Sequence, residues 1–316
     1  MRVTASAAAS VSNLGPGYDV LGLCLGTPRD RVIAERTDRG IVELVEVTGD
    51  SGRLPRAASE NCAGIAAKVV LDRFGPPGAG VRLWLHKGLP LGSGLGSSGA
   101  SAVAAALATC ALVSPDTPRE ALLSACREGE RYATGSPHPD NVAPSLLGGL
   151  VACVARPTLT DPEAIEVVRL PIVEGLWIAA VKPDVEVRTA EARAVLPASV
   201  PMTDVVANLG AMASLVAGLA AGDLAQVGRS LTDRIATPYR RDLIPGYDAV
   251  VDAASRAGAV GAGISGSGPT VFALVQGAEL AHRVAERMVQ AFGVAGHESM
   301  TVVGAVDLIG ARLESA

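Results

Sequence analysis

The clearest chemical signal in this 316-residue chain is Pro90, Leu91, Gly92, Ser93, Gly94, Leu95, Gly96, Ser97, Ser98, Gly99 and Ala100. Four glycines and three serines separate a β-like apolar run from an alanine-rich one. Glycine lets a backbone approach a ligand closely, and its N–H groups can converge on anionic oxygens. Ser97 and Ser98 stand where a helix should begin, and the unpaired N–H groups and positive dipole end of a helix favour a phosphate. A serine cap and a plain glycine turn would explain part of the pattern. One turn needs one or two glycines, however, and this loop has four.

Gly94–Gly99 reads G-x-G-x-x-G, which raises dinucleotide binding. That fingerprint needs a second strand ending in an acid about 20 residues on. Here the position falls in Ser114–Glu120, a loop leading into a helix. A Walker loop also fails, because no Lys-Ser/Thr pair follows the glycines. Lys87, just before the loop, either helps neutralise a polyphosphate or flanks a strand.

The elements that must hold this loop alternate without a regular repeat. Strand patterns cover Arg31–Glu35, Ile41–Val47, Val81–Lys87, Leu150–Ala155, Ile165–Leu170, Leu176–Lys182, Ala259–Ile264, Thr270–Gln276 and Met300–Leu308. Helical patterns cover Asn61–Phe74, Ser98–Leu112, Arg119–Tyr132, Thr203–Leu219, Tyr247–Ala257 and Glu279–Phe292. The expectation is an α+β protein of two domains, residues 1–155 and 156–316, divided at Arg156–Glu163.

Composition narrows the function. A net charge of −5 and 3% aromatic residues argue against nucleic acid. Cys24, Cys62, Cys110, Cys126 and Cys153 are odd in number and form no C-x-x-C pair, as expected of reduced, buried thiols in a cytoplasmic protein. The N-terminus lacks the apolar core of a signal peptide. The alanine-rich runs Ala100–Val113 and Val205–Ala221 read as buried helices whose strongly apolar parts are too short to span a membrane.

Four segments resemble, in order, the motifs of the small-molecule kinases that include galactokinase, homoserine kinase and mevalonate kinase. They are Ser12–Gly22 (SNLGPGYDVLG), Pro90–Ala100 (PLGSGLGSSGA), Gly135–Gly149 (GSPHPDNVAPSLLGG) and Gly261–Leu274 (GAGISGSGPTVFAL). The first and third are most similar to homoserine kinases, with Pro139, Tyr18 and Gly99 departing from the commoner residues without removing a polar group. The resemblance implies a two-domain fold, the N-terminal part like ribosomal protein S5 domain 2 and the C-terminal part a ferredoxin-like α/β sandwich. It implies ATP and Mg²⁺ as cofactors and L-homoserine as a small-molecule substrate, with no nucleic acid and no membrane. A homodimer is the assembly carried with it.

Residue by residue, the resemblance implies that the glycine loop and Asn61 bind ATP, and that Ser98 and Glu130 bind the metal. It implies that Asn13, Asp19, His138 and Asp140 hold the substrate, with Asp19 or Asp140 on the ammonium. Arg188 and Arg234 stand where a carboxylate would be gripped, with Arg193, Arg240 and Arg241 as competitors, since guanidinium binds carboxylate bidentately. Asn141 occupies the place of the relatives' catalytic aspartate and cannot take a proton, so no dedicated base is expected. Ser265–Gly268 should bring a second glycine turn against the site. Each of these residues also has a plainer role available: turn chemistry for Asn13 and Asp19, an N-cap for Asn61, surface charge for Glu130 and the arginines.

Overall fold

The computed structural model describes residues 1–159 and 161–314. In chain order its first half contains β1 (Arg2–Ser12), β2 (Leu21–Thr37), β3 (Val42–Thr48), α1 (Cys62–Phe74), β4 (Gly80–His86), α2 (Ser97–Val113), α3 (Leu123–Thr134), α4 (Pro139–Leu147), β5 (Leu150–Ala155) and β6 (Ile165–Leu170). There follow β7 (Leu176–Pro183), α5 (Thr189–Ala194), α6 (Met202–Ala221), α7 (Leu224–Arg229), α8 (Thr237–Arg240), α9 (Tyr247–Arg256), β8 (Gly261–Ile264), β9 (Val271–Gln276), α10 (Ala278–Val294), β10 (Ser299–Ala305) and β11 (Arg312–Glu314).

The strands form two sheets. The first runs β11-β1-β2-β4-β3, with β5 paired to β2 and β6 to β5. The second runs β10-β7-β9-β8, antiparallel throughout. With helices after β7 and between β9 and β10, this second sheet has the strand–helix–strand–strand–helix–strand plan of ferredoxin-like domains. The α+β expectation is met.

The expected boundary Arg156–Glu163, of which Thr160 lies outside the described residues, is the connection of the β5–β6 hairpin. The first sheet therefore keeps β6 beyond residue 156 and recovers β11 from the C-terminus, where Arg312 pairs with Ser6. Residues 315 and 316 also lie outside the described residues.

The two alanine-rich helices differ. α2 is buried on every side, as an all-round apolar helix should be, and its small side chains let α1, α3, α4 and the β1–β2 hairpin approach closely. The second helix corrects the expectation. α6 spans 20 residues, long and apolar enough by length and composition to cross a membrane, and only 22% of its apolar window is buried. Its buried residues are Asn208, Leu215, Gly218 and Leu219, with Met212 packed beside them, and Met202, Val206 and Leu209 are left exposed. The five cysteines are buried and unpaired, as expected.

Candidate active site

The glycine loop joins β4 to α2 and runs through left-handed backbone at Gly92, Gly94 and Gly96, with φ of 58°, 74° and 69°. Close approach adds to that demand. A Cβ on Gly94 would lie 2.4 Å from the Ser265 carbonyl oxygen, and one on Gly96 would lie 2.3 Å from Ser10 Oγ. The Ser265–Gly268 turn thus packs against the loop, as anticipated. The loop's carbonyls are taken up from behind: Thr270 Oγ1 donates to Ser93 O (2.6 Å), Ser265 Oγ to Gly94 O (2.7 Å) and Ser10 N to Leu95 O (3.0 Å).

No serine caps α2. Its N-cap is Gly96, with no side-chain acceptor on the first-turn N–H groups. Ser97 Oγ reaches the Leu89 carbonyl, and Ser98 Oγ donates to Glu130 Oε2 at 2.6 Å. The bare helix start is the phosphate-favouring feature the sequence suggested. Glu130 is buried at the end of a close contact: a Cβ on neighbouring Gly129 would lie 2.6 Å from the Cys62 carbonyl, so α3 packs tightly on α1 and α2.

Lys87 does not point free charge at the loop. Its buried ammonium donates to Asp30, to the Ser97 carbonyl (2.8 Å) and to Ser101 Oγ (2.9 Å). Asp30 also accepts from the backbone N–H groups of Gly88 (2.9 Å) and Leu89 (3.0 Å). The pair clamps the end of β4 to the first turn of α2 from beneath. Asn61 is an N-cap, accepting from Ala63 N and donating to the Pro55 carbonyl, while it still lines the cleft.

A cleft of about 750 Å³ lies between the two sheets' units, bounded by Asn13, Asp19, the glycine loop, Glu130, His138 and Asn141, and by Arg188, Arg193 and Arg240 from the C-terminal side. Asn13 and Asp19 sit at φ of 72° and 54°. Asn13 Oδ1 accepts from Asp19 N, and its amide donates to the Gly266 carbonyl. Both residues shape their turn, and Asp19 also presents its carboxylate to the cleft.

α4 begins at Pro139 and contains Pro144, which cannot donate to the Asp140 carbonyl four residues back. A Cβ on Gly22 would lie 1.8 Å from that oxygen, so glycine in β2 is what lets α4 settle on the hairpin. Asn141 is fixed at both ends: its amide donates to Ser12 Oγ (3.1 Å) and its oxygen accepts from Ser10 Oγ (3.0 Å). Asp140 is 2% exposed, and among the described residues its Oδ1 has no hydrogen-bond partner. Burial, and then the charge of Asp19, push its carboxyl up to about 7.

His138 is shifted the other way, first by burial and then by the charge of Arg193, which favours the neutral ring. Arg193 Nη2 lies 3.1 Å from His138 Nδ1; the guanidinium can only donate, so the ring proton belongs on Nε2. That N–H is buried and, among the described residues, unpartnered, as is Arg193 Nε.

The arginines are resolved by position. Arg193 pairs with Asp19, and buried Arg240 donates to the Ala192 and Gly266 carbonyls and stacks over Tyr18. Arg188 lines the cleft, but its exposed side chain pairs with Glu191 at the start of α5. Arg234 is exposed and outside the cleft lining, which corrects its place in the carboxylate pair. Arg241 pairs with Asp248 instead. Ser10 and Asp30 lie outside every motif, and Ser12, which opens the first one, carries no expected role of its own. Among the described residues no three His, Cys, Asp or Glu side chains gather as a metal site.

Comparison with known proteins matches residues 61–149 to the GHMP kinases N terminal domain and residues 215–295 to the GHMP kinases C terminal domain. A homoserine kinase of Pyrococcus furiosus is 40% identical over 94% of this chain and 97% of its own length. One from Arabidopsis thaliana is 40% identical over 99% of this chain and 85% of its own. The crystal structure of homoserine kinase from Cytophaga hutchinsonii superposes with a TM-score of 0.93 at 39% identity, covering 99% of this chain and 97% of that one.

Proposed function

From the premise that this chain belongs to the GHMP kinases, we propose that its cleft transfers the γ-phosphoryl group of ATP to the hydroxyl of L-homoserine, giving O-phospho-L-homoserine and ADP. The chain is an ATP-dependent homoserine phosphotransferase, and its reaction belongs to threonine biosynthesis. The observation that carries the reading at the site is one cleft with two unlike ends. The bare α2 N-terminus suits phosphate, and the buried, unpartnered His138 Nε2, Asp140 Oδ1 and Arg193 Nε suit a small zwitterion.

In this reading Asp19 or Asp140 takes the substrate ammonium, Arg193 and Arg240 take the carboxylate, and His138 donates to a substrate oxygen. Asn13 shapes the turn that presents Asp19. The glycine loop from Pro90 to Ala100 and Asn61 bound the nucleotide. Ser98 and Glu130, a hydroxyl and a carboxylate 2.6 Å apart at the helix start, are hard oxygen donors that would hold a Mg²⁺ ion, which would supply charge neutralisation. Asn141 is engaged by Ser10 and Ser12 and offers no basic atom. Turnover therefore rests on in-line placement and on the dipoles of the loop and helix. The five buried thiols suit a cytoplasmic enzyme, and the partners are small molecules.

ADP release with Mg-ATP, measured across L-homoserine, L-serine, L-threonine, mevalonate and galactose, tests the assignment. Turnover should be far highest with L-homoserine. Preference for mevalonate or galactose would retain the nucleotide site and overturn the substrate.

A further inference from the structure

The mouth of the nucleotide cleft is crossed by an ion pair between its two sides. Arg53, in the β3–α1 connection, donates through Nη2 to Glu186 Oε1 (2.7 Å) and Oε2 (2.8 Å), in the β7–α5 connection. The Glu186 side chain lies directly on the phosphate loop. A Cβ on Gly92 would sit 2.8 Å from Glu186 Cγ and 2.9 Å from its Oε1, so the Glu186 side chain lies closer to the loop than a side chain at residue 92 would leave it.

Both connections are held at their roots. Asp50 accepts from Gly52 N, Leu54 N and Arg56. Asp184 donates through its N–H to the Glu298 carbonyl and pairs with His297, while Lys182 donates to the carbonyls of Pro183 and Val185.

A carboxylate resting on an anion-binding loop must leave when polyphosphate arrives. The other cations at the site have other work: Lys87 is buried on Asp30, Arg193 pairs with Asp19, Arg188 pairs with Glu191, and Arg240 holds two carbonyls. Arg53 is the cation whose counter-ion occupies the loop itself. We propose that Arg53 is a polyphosphate-binding residue and Glu186 its resting counter-ion, so that ATP enters by exchanging one anion for another on the same guanidinium. This rests on the kinase reading above.

The exchange predicts effects of opposite sign. Arg53→Met should weaken Mg-ATP and Mg-ADP binding ~10-fold, as expected for loss of one charge-assisted contact, with Arg53→Lys recovering part of it. Glu186→Gln should tighten the same ligands ~3-fold, because the resting competitor is gone. Adenosine, which has no phosphate, should bind both variants like the wild type. Calorimetric titration of the full chain with Mg-ATP, Mg-ADP and adenosine reads all three. Absence of Mg-ATP binding by the wild type would overturn the kinase reading itself. Normal wild-type binding with both variants shifted in the same direction, or neither shifted, or adenosine shifted equally, would overturn the exchange and leave the pair a structural strap.

Discussion

Arg193 lays one nitrogen, Nη2, against both carboxylate oxygens of Asp19, at 3.0 and 2.8 Å. A substrate zwitterion carries the same two charges, so its ammonium can replace the guanidinium on Asp19 while its carboxylate takes the released arginine. Arg193→Met and Asp19→Asn should each raise the KM for homoserine ~100-fold, about 2.7 kcal/mol, and leave ATP affinity within ~2-fold. The double variant should lose less than the sum, because the two groups act on one ligand and on each other. Arg234→Met, outside the cleft, should change neither constant. Steady-state kinetics with varied homoserine and a separate ATP titration check the split.

Asp140 makes the fold's stability sensitive to pH in an unusual direction. Folded, its buried carboxyl keeps the proton up to about pH 7; unfolded, it releases it near about 3.9. Between those values the native state binds more protons than the unfolded chain, so this group lowers stability as pH rises. The loss begins near pH ~4 and is complete above ~7, with an upper bound of about 4 kcal/mol. Asparagine at this position cannot ionise. The Tm of Asp140→Asn minus that of the wild type should therefore be more positive at pH 8 than at pH 5, by roughly 3–6 °C. Thermal unfolding of both proteins at the two pH values measures it, and an equal difference at both would remove Asp140 as the source.

Contiguous features were the legible ones. The glycine loop announces itself because it is one short stretch, and Glu130 and His138–Asn141 stand out only through their resemblance to the kinase motifs. β1 was not legible, since its alanines give no β-branched pattern and earn their place only by close packing under α2. α4 was hidden by Pro139 and Pro144, one at the helix start and one inside it. Arg188 and Arg193 compete in the sequence because the register of a six-residue helix decides between them: Arg188 at its N-cap turns to Glu191, and Arg193 in its last turn faces Asp19. α6 read as core because composition reports hydrophobicity, not which neighbours arrive to cover it. Asp30 was invisible for a related reason, its partner lying 57 residues away across the β2–β4 pairing.

That non-local clamp gives the next expectation. Lys87→Met would leave Asp30 buried without its cation and should cost ~3 kcal/mol of stability. Asp30→Asn combined with Lys87→Met should recover part of the loss, because asparagine can still accept from the N–H groups of Gly88 and Leu89 without a net charge. Urea unfolding of the three proteins checks the order. A double variant less stable than Lys87→Met would mean that the Asp30 carboxylate, through the N–H groups of Gly88 and Leu89 and the Ser101 hydroxyl, stabilises the fold even without the ammonium.

Ser98 and Glu130 make a last expectation about the metal. Glu130→Gln keeps the shape of the side chain and most of its hydrogen bonding, so the fold should persist within ~1 kcal/mol. If Glu130 is the ligand proposed above, the missing charge should raise the Mg²⁺ concentration for half-maximal activity ~10-fold and lower kcat ~100-fold, because a hard cation would lose its anionic protein ligand while phosphate charge builds in the transition state. Ser98→Ala removes only a neutral oxygen and should produce a ~10-fold smaller loss. Titrating Mg²⁺ at saturating ATP and homoserine separates the two effects. If Glu130→Gln slowed turnover without moving the Mg²⁺ midpoint, its carboxylate would act by holding Ser98 at the start of α2, through the 2.6 Å hydrogen bond, rather than by binding the ion.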